Sequence, residues 1–149
     1  MKAFKTKIIA LCNQKGGVGK TTSSVNIASF LAITETPTLL IDMDPQANAS
    51  TGLGVEIHPK LKSSYDVLIN NNKISKCIQK TDIEYLDIIP ASQKLAGAEI
   101  ELVSKLTRES ILKEAIQAVN GQYKYIIIDS PPSLGLLTVN VFTASHSII

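Results

Sequence analysis

The run NQKGGVGKTT, Asn13 to Thr22, constrains the fold more than any other stretch of this sequence. It follows a short apolar run, Ile8 to Cys12. It precedes a segment, Lys20 to Ala32, in which Val25, Ala28, Leu31 and Ala32 share one helical face. The order is strand, glycine-rich loop, helix. Two lysines, Lys15 and Lys20, stand in this short loop, and their separate purposes are the first question the sequence poses.

The same alternation continues along the chain. Pro37 opens TLLIDMD, and YLDIIPA at Tyr85 and YIIIDSPP at Tyr125 repeat the pattern of a buried-type strand closed by polar residues or proline. TRESILKEAIQAVNG carries Ile111, Leu112, Ala115, Ile116 and Val119 at helical spacing, with Thr107 as N-cap and Gly121 as the stop. LAGAEIELVSKL before it reads as a further helix, and Asn70 to Asn72 as a surface turn. Apolar strands alternating with helices imply an α/β fold with a parallel sheet covered by helices on both faces. Ligands of such sheets gather at the carboxyl ends of strands. Three polar loops fall there: Asn13 to Thr22, Asp42 to Ser50, and Asp129 to Ser133.

At 149 residues and 44% hydrophobic composition, one domain spanning residues 1–149 is expected, and a net charge of +2 argues for no large nucleic-acid face within it. Cys12 and Cys77 have neither paired nor metal-ligand spacing, which fits a reduced, cytoplasmic protein. The apolar run after the N-terminal lysines is too short for a secretory leader and ends in Asn-Gln-Lys. No segment approaches the roughly 20 apolar residues of a membrane span. SHSII begins a fifth buried-type strand at Ser145, and the sequence stops at Ile149. The expectation is a sheet left incomplete at the C-terminus, as in a truncated chain.

The usual phosphate loop reads G-x-x-x-x-G-K-[ST]: backbone amides cradle phosphates, the lysine reaches the β and γ oxygens, and the hydroxyl ligates Mg²⁺. Here Gln14 holds the place of the first glycine. Gly16, Gly17 and Gly19 still leave donors uncovered around Val18, and Gly19-Lys20-Thr21 keeps the end that grips phosphate and metal. A helix beginning at Lys20 adds its positive dipole end. The chain is thus read as a P-loop NTPase-type sheet. Lys20 fills the phosphate role, so Lys15 is either a solvated lysine or a cation pointing out of its own loop toward a nucleotide held by a second chain.

Asp42 and Asp44 lie two apart at a strand end and face the same way. One suits the metal's water shell and the other an attacking water, with capping of the following turn as the plain alternative for each. Asp129, at the exit of YIII, suits a contact to Mg²⁺. His58 and His146 stand alone. Asn48, Ser50 and Thr51 have several possible partners, between which the sequence does not choose.

KGGVGKTT, LLIDMDPQANASTGLG, IIPASQKLAGAEIELV and YIIIDSPPSLGLLT, taken together and in order, resemble the ParA/Soj family of chromosome- and plasmid-partitioning ATPases. The resemblance implies the deviant Walker A loop KGGxGK[ST], which accounts for Gln14. It makes Lys15 similar to the signature lysine that crosses to the other subunit of an ATP-sandwich homodimer, Lys20 to the phosphate-binding lysine, Thr21 to the Mg²⁺ ligand, and Thr22 to a residue near the α-phosphate. It likewise implies Asp44 as the residue that activates water, Asp42 as its neighbour near the metal, and Asp129 as the Walker B aspartate. ATP and Mg²⁺ follow as cofactors. A ParB-type centromere-binding protein and non-specific nucleoid DNA follow as partners, the DNA through residues beyond Ile149. MinD-type membrane-associated ATPases share the loop but lack DPQANAS; nitrogenase iron proteins need cysteines placed otherwise. The competing expectation for these 149 residues is a nucleotide-binding remnant without hydrolysis.

Overall fold

Runs that are apolar on both faces become strands buried on both faces. In the computed structural model, which describes residues 3–149, all five residues of one such strand, Thr38–Asp42, are buried. The elements in chain order are β1 Lys7–Leu11, α1 Lys20–Ile33, β2 Thr38–Asp42, α2 Asn48–Gly52, α3 Ser64–Leu68, β3 Gln79–Lys80 and β4 Leu86–Ile89. They continue with α4 Leu95–Val103, α5 Ile111–Ile116, β5 Tyr125–Asp129, α6 Leu136–Ala144 and β6 Ser147–Ile148. Short 3₁₀ turns occupy Ile74–Lys76 and Gln117–Val119.

The strands form one sheet in the order β3-β4-β2-β5-β1-β6. Period-two alternation sends neighbouring side chains to opposite layers. Leu40, Ile88 and Ile127 pack with Ala28 and Ala32 of α1, while Leu39, Ile41, Ile126 and Ile128 pack under α3 to α6. Each such buried aliphatic side chain contributes roughly 1.5–3 kcal/mol. β5 lies between β1 and β2, and the register sets Leu11 and Asp42 on either side of Asp129. The loops leaving these three strands are therefore neighbours, although their sequences lie far apart.

Three features differ from the sequence expectation. The sheet is mixed, since β3 pairs antiparallel with β4; two polar-type residues, Gln79 and Lys80, carry no alternation by which to find them. The helix expected from Thr107 starts at Ile111: Thr107 has a left-handed φ of 51°, Ser110 is the N-cap residue, and its hydroxyl bonds the Glu114 carboxylate at 2.9 Å. Gly121, with φ 84°, does close that segment. Finally, the C-terminal segment pairs in parallel with β1, but as two exposed residues instead of a buried strand from Ser145, which ends α6. His146 is absorbed into this junction, its Nδ1 accepting the Ile8 amide at 3.1 Å.

Candidate functional site

The loop between β1 and α1 is held open by its glycines. Gly17 and Gly19 have φ of 72° and 87°, a region costly for side-chain-bearing residues, and a Cβ built on Gly16, Gly17 or Gly19 meets nothing within 4 Å. Asn13 Oδ1 accepts the Lys15 amide at 2.9 Å, turning the chain into the loop. Among the described residues, the amides of Gly16, Gly17, Val18 and Gly19 donate to no protein acceptor. Gly19 is also the N-cap of α1 and offers no side chain, so the first-turn amides at Lys20, Thr21 and Thr22 face outward at the positive end of a 14-residue helix. That concave row of free donors fits an anion.

Beneath it sits Asp129, fully buried at the end of β5. Thr21 Oγ1 donates to its Oδ2 at 2.8 Å and Ser24 Oγ to its Oδ1 at 2.8 Å. Burial pushes the Asp129 carboxyl above the ordinary carboxylate range. The two hydroxyls and the Lys20 charge pull it back, and Asp44 adds to the push. A threonine hydroxyl that donates its proton to a carboxylate keeps its lone pairs for a cation, so Thr21 and Asp129 fit a hard, oxygen-ligated Mg²⁺ with the carboxylate behind the ligand. Among the described residues no group of three His, Cys, Asp or Glu forms an all-protein cage. The remaining ligands of such an ion would be phosphate and water oxygens, as is usual for magnesium.

Asp42 ends β2 in register with Asp129 and is equally buried. Its side chain turns inward. Oδ1 accepts the Asp44 amide at 3.1 Å, and Oδ2 accepts the Ser50 amide at 2.9 Å and the Ser50 hydroxyl at 2.6 Å. Burial raises this carboxyl to about 6 despite those bonds. Ser50, one of the three residues between whose partners the sequence did not choose, thus bonds its own loop, and its hydroxyl also accepts the Ala91 amide at 2.9 Å. Asp44 uses Oδ1 for the Gln46 amide at 2.9 Å in a turn that takes Ala47 to a left-handed φ of 54°. Its other oxygen makes no hydrogen bond within the described protein.

The structure thus brings together Gly16 to Thr22, Asp129 and, through the Met43 amide bonded to the Asp129 carbonyl at 2.9 Å, the Asp42–Asp44 corner. Lys15 is exposed and borders a cleft of about 500 Å³ with Cys12, Asn13, Ser130, Ser133 and Leu134. Neither Lys15 nor Lys20 forms an ion pair among the described residues. Ser24 was missed by the sequence reading. Its signal is its place three residues after Thr21, which puts both hydroxyls on one side of the helix.

A family model described as an AAA domain matches residues 6–149. The sporulation initiation inhibitor protein Soj of Bacillus subtilis is 54% identical over 143 residues, 96% of this chain and 56% of that protein. The chromosome partitioning protein ParA of Myxococcus xanthus is 47% identical over 143 residues, 96% of this chain and 50% of its own length. Among solved structures, cobyrinic acid a,c-diamide synthase from Mycobacterium smegmatis with bound ADP and magnesium superposes with TM-score 0.91 at 40% identity, covering 96% of this chain and 58% of that one. The chain spans about half the length of the curated relatives it matches.

Proposed function

This chain belongs to the AAA domain family, with Soj and ParA partitioning proteins as relatives, and from that membership we propose that it is the nucleotide-switch part of a ParA-type, Mg²⁺-ATP-dependent DNA-partitioning ATPase. The observation that carries this reading is the pair Thr21 and Asp129 beneath a row of unpartnered loop amides. The amides of Gly16, Gly17, Val18 and Gly19 bind phosphate oxygens, Lys20 neutralises the terminal phosphates, and Thr22 lies toward the α-phosphate. Thr21 holds Mg²⁺, with Asp129 orienting the hydroxyl. When bound, the ion neutralises charge on the phosphate oxygens.

Asp44, with one carboxylate oxygen unspent, orients the attacking water and accepts its proton. Asp42 positions Asp44 by holding its amide, and through it stands near the metal without needing to ligate it. Lys15 extends from its exposed loop to the nucleotide of a second copy, so that ATP closes a homodimer and hydrolysis reopens it. Non-specific DNA binding in the ATP state, reset by a ParB-type partner, completes the cycle in the whole protein. Among the described residues no helix is long and apolar enough to cross a membrane.

Sedimentation velocity with and without Mg²⁺-ATP tests the switch directly. The expected outcome is an ATP-dependent shift from monomer to dimer that Lys15→Ala abolishes at unchanged ATP binding, while Lys20→Ala loses binding itself. A Lys15→Ala chain that dimerises with ATP like its parent would refute the cross-subunit role.

A further inference from the structure

Helix α6 starts without a cap of its own. Its N-cap residue is Gly135, which has no side chain to offer the first amides. The acceptor comes from α4: the Glu99 carboxylate takes the Leu136 amide through Oε2 at 2.6 Å and the Leu137 amide through Oε1 at 3.2 Å. A carboxylate there also meets the positive end of the helix dipole. Gly135 permits the approach, since a Cβ at that position would run into the Glu99 carboxylate. Farther along α6, Asn140 accepts the Leu112 amide at 3.1 Å and donates to the Arg108 carbonyl at 2.6 Å. Polar side chains thus join α4, α6 and the start of α5, beyond their apolar packing.

The loop between Asp129 and Gly135 gives this junction its consequence. Ser130, Pro131, Ser133 and Leu134 wall the cleft that Lys15 borders. At the front of the loop, Ser130 Oγ donates to the Leu11 carbonyl at 2.8 Å, anchoring it to β1 beside the glycine loop. At the rear, the Thr138 hydroxyl donates to the Ser133 carbonyl at 2.6 Å, so the first turn of α6 carries the loop with it. Glu99 holds the first two amides of that same turn.

We infer that Glu99 is a positioning residue for the site: by fixing the start of α6 it sets how the 130–135 loop walls the cleft beside Lys15. The inference rests on the reading of the glycine loop as a nucleotide site, because that reading gives the cleft wall its importance. Glu99 touches no reacting atom in it. It acts through the Leu136 and Leu137 amides.

Amide hydrogen exchange and ¹H–¹⁵N spectra of the chain, its Glu99→Ala variant and its Glu99→Gln variant decide the matter without nucleotide. The expected result is exchange at Leu136 and Leu137 faster by about tenfold or more in Glu99→Ala, as loss of two bonds to a carboxylate requires. Glu99→Gln, which keeps the length and one acceptor, should fall between and serves alone if the alanine variant does not fold. Amide shifts at Ser133, Leu134 and Lys15 should move in the same order, with exchange in β2 and β5 unchanged. Unchanged exchange at Leu136 and Leu137 overturns the inference. So do shifts confined to those two amides, which would leave Glu99 an ordinary cap, and equal loss of protection across the sheet. Mg²⁺-ATP added afterwards tests the nucleotide reading by itself: a parent chain without changes at Gly16 to Thr22 refutes that reading and leaves the exchange comparison standing.

Discussion

The ends of β2 and β5 are alike in sequence and opposite in use. Each is an apolar strand closing on an aspartate, and Asp42 and Asp129 are register partners, both fully buried. Asp42 collects its donors from its own loop, two backbone amides and the Ser50 hydroxyl. Asp129 collects hydroxyls from α1, the helix whose first turn carries the open glycine loop. A buried carboxylate is costly without partners, and the type of partner decides what it can do next. Two donors to Asp42 are amides, with no further oxygen to offer, and the oxygen of the third, the Ser50 hydroxyl, is spent on the Ala91 amide, so the Asp42 network closes within the protein. The Thr21 hydroxyl that donates to Asp129 accepts no such donor among the described residues, so its lone pairs stay free for a ligand.

The largest expected effect separates the two by function. Asp129→Asn should remove the Mg²⁺-dependent part of ATP affinity, roughly 10–100-fold, as loss of a partner behind a metal ligand does. Titration of a fluorescent ATP analogue with and without Mg²⁺ reads this, and an intact Mg²⁺ effect would dissolve the distinction. Asp42→Asn should leave that affinity nearly unchanged and lower unfolding stability by about 1–3 kcal/mol, since one or two of its donors lose a matched acceptor. In thermal melts this is a Tm drop of roughly 3–10 °C.

A smaller effect follows from the carboxyl of Asp42, raised from its ordinary 3.8 to about 6 in the fold. Between these values the folded chain holds more protons than the unfolded one, so its stability falls as pH rises through this window and recovers on acidification. The Asp42 contribution is on the order of 1–3 kcal/mol across the window. Asp129, also raised, adds a slope of the same sign. Asp42→Asn should flatten the dependence in urea titrations at several pH values without Mg²⁺ or nucleotide, and an unaltered slope would assign it elsewhere. The finest comparison is between the serines. Ser50→Ala, which strips a hydroxyl from Asp42 and an acceptor from the Ala91 amide, should cost about 1–3 kcal/mol; Ser24→Ala, which leaves Asp129 its Thr21 bond, should cost about 1 kcal/mol or less. Urea unfolding midpoints measure both, and equal losses would mean that the two networks are equivalent.

Much of this protein was legible before any coordinates. The runs at Ile8, Thr38, Tyr85 and Tyr125 read as strands because they are apolar on both faces, and α1 reads as a helix from residues a turn apart. The short pieces were not legible in the same way. β3 and β6 have two residues each and owe their conformation to the strand beside them. Thr107 carried a capping residue's identity, yet the turn there is left-handed and the helix begins at Ile111, where Asn140 holds the Leu112 amide from 28 residues away.

The site divides along the same line. By itself the sequence determined the glycine loop, the helix that starts on Lys20 and the three strand-end loops, because each depends on residues adjacent in the chain. Which aspartate faces the glycine loop, that Ser24 shares it, and that Glu99 starts α6 were decided by the tertiary structure. Their partners lie 108, 105 and 37 residues away. A local pattern records what a residue is; β5 lying between β1 and β2 brings its distant partners within hydrogen-bonding reach, and that sheet order is a property of the folded chain.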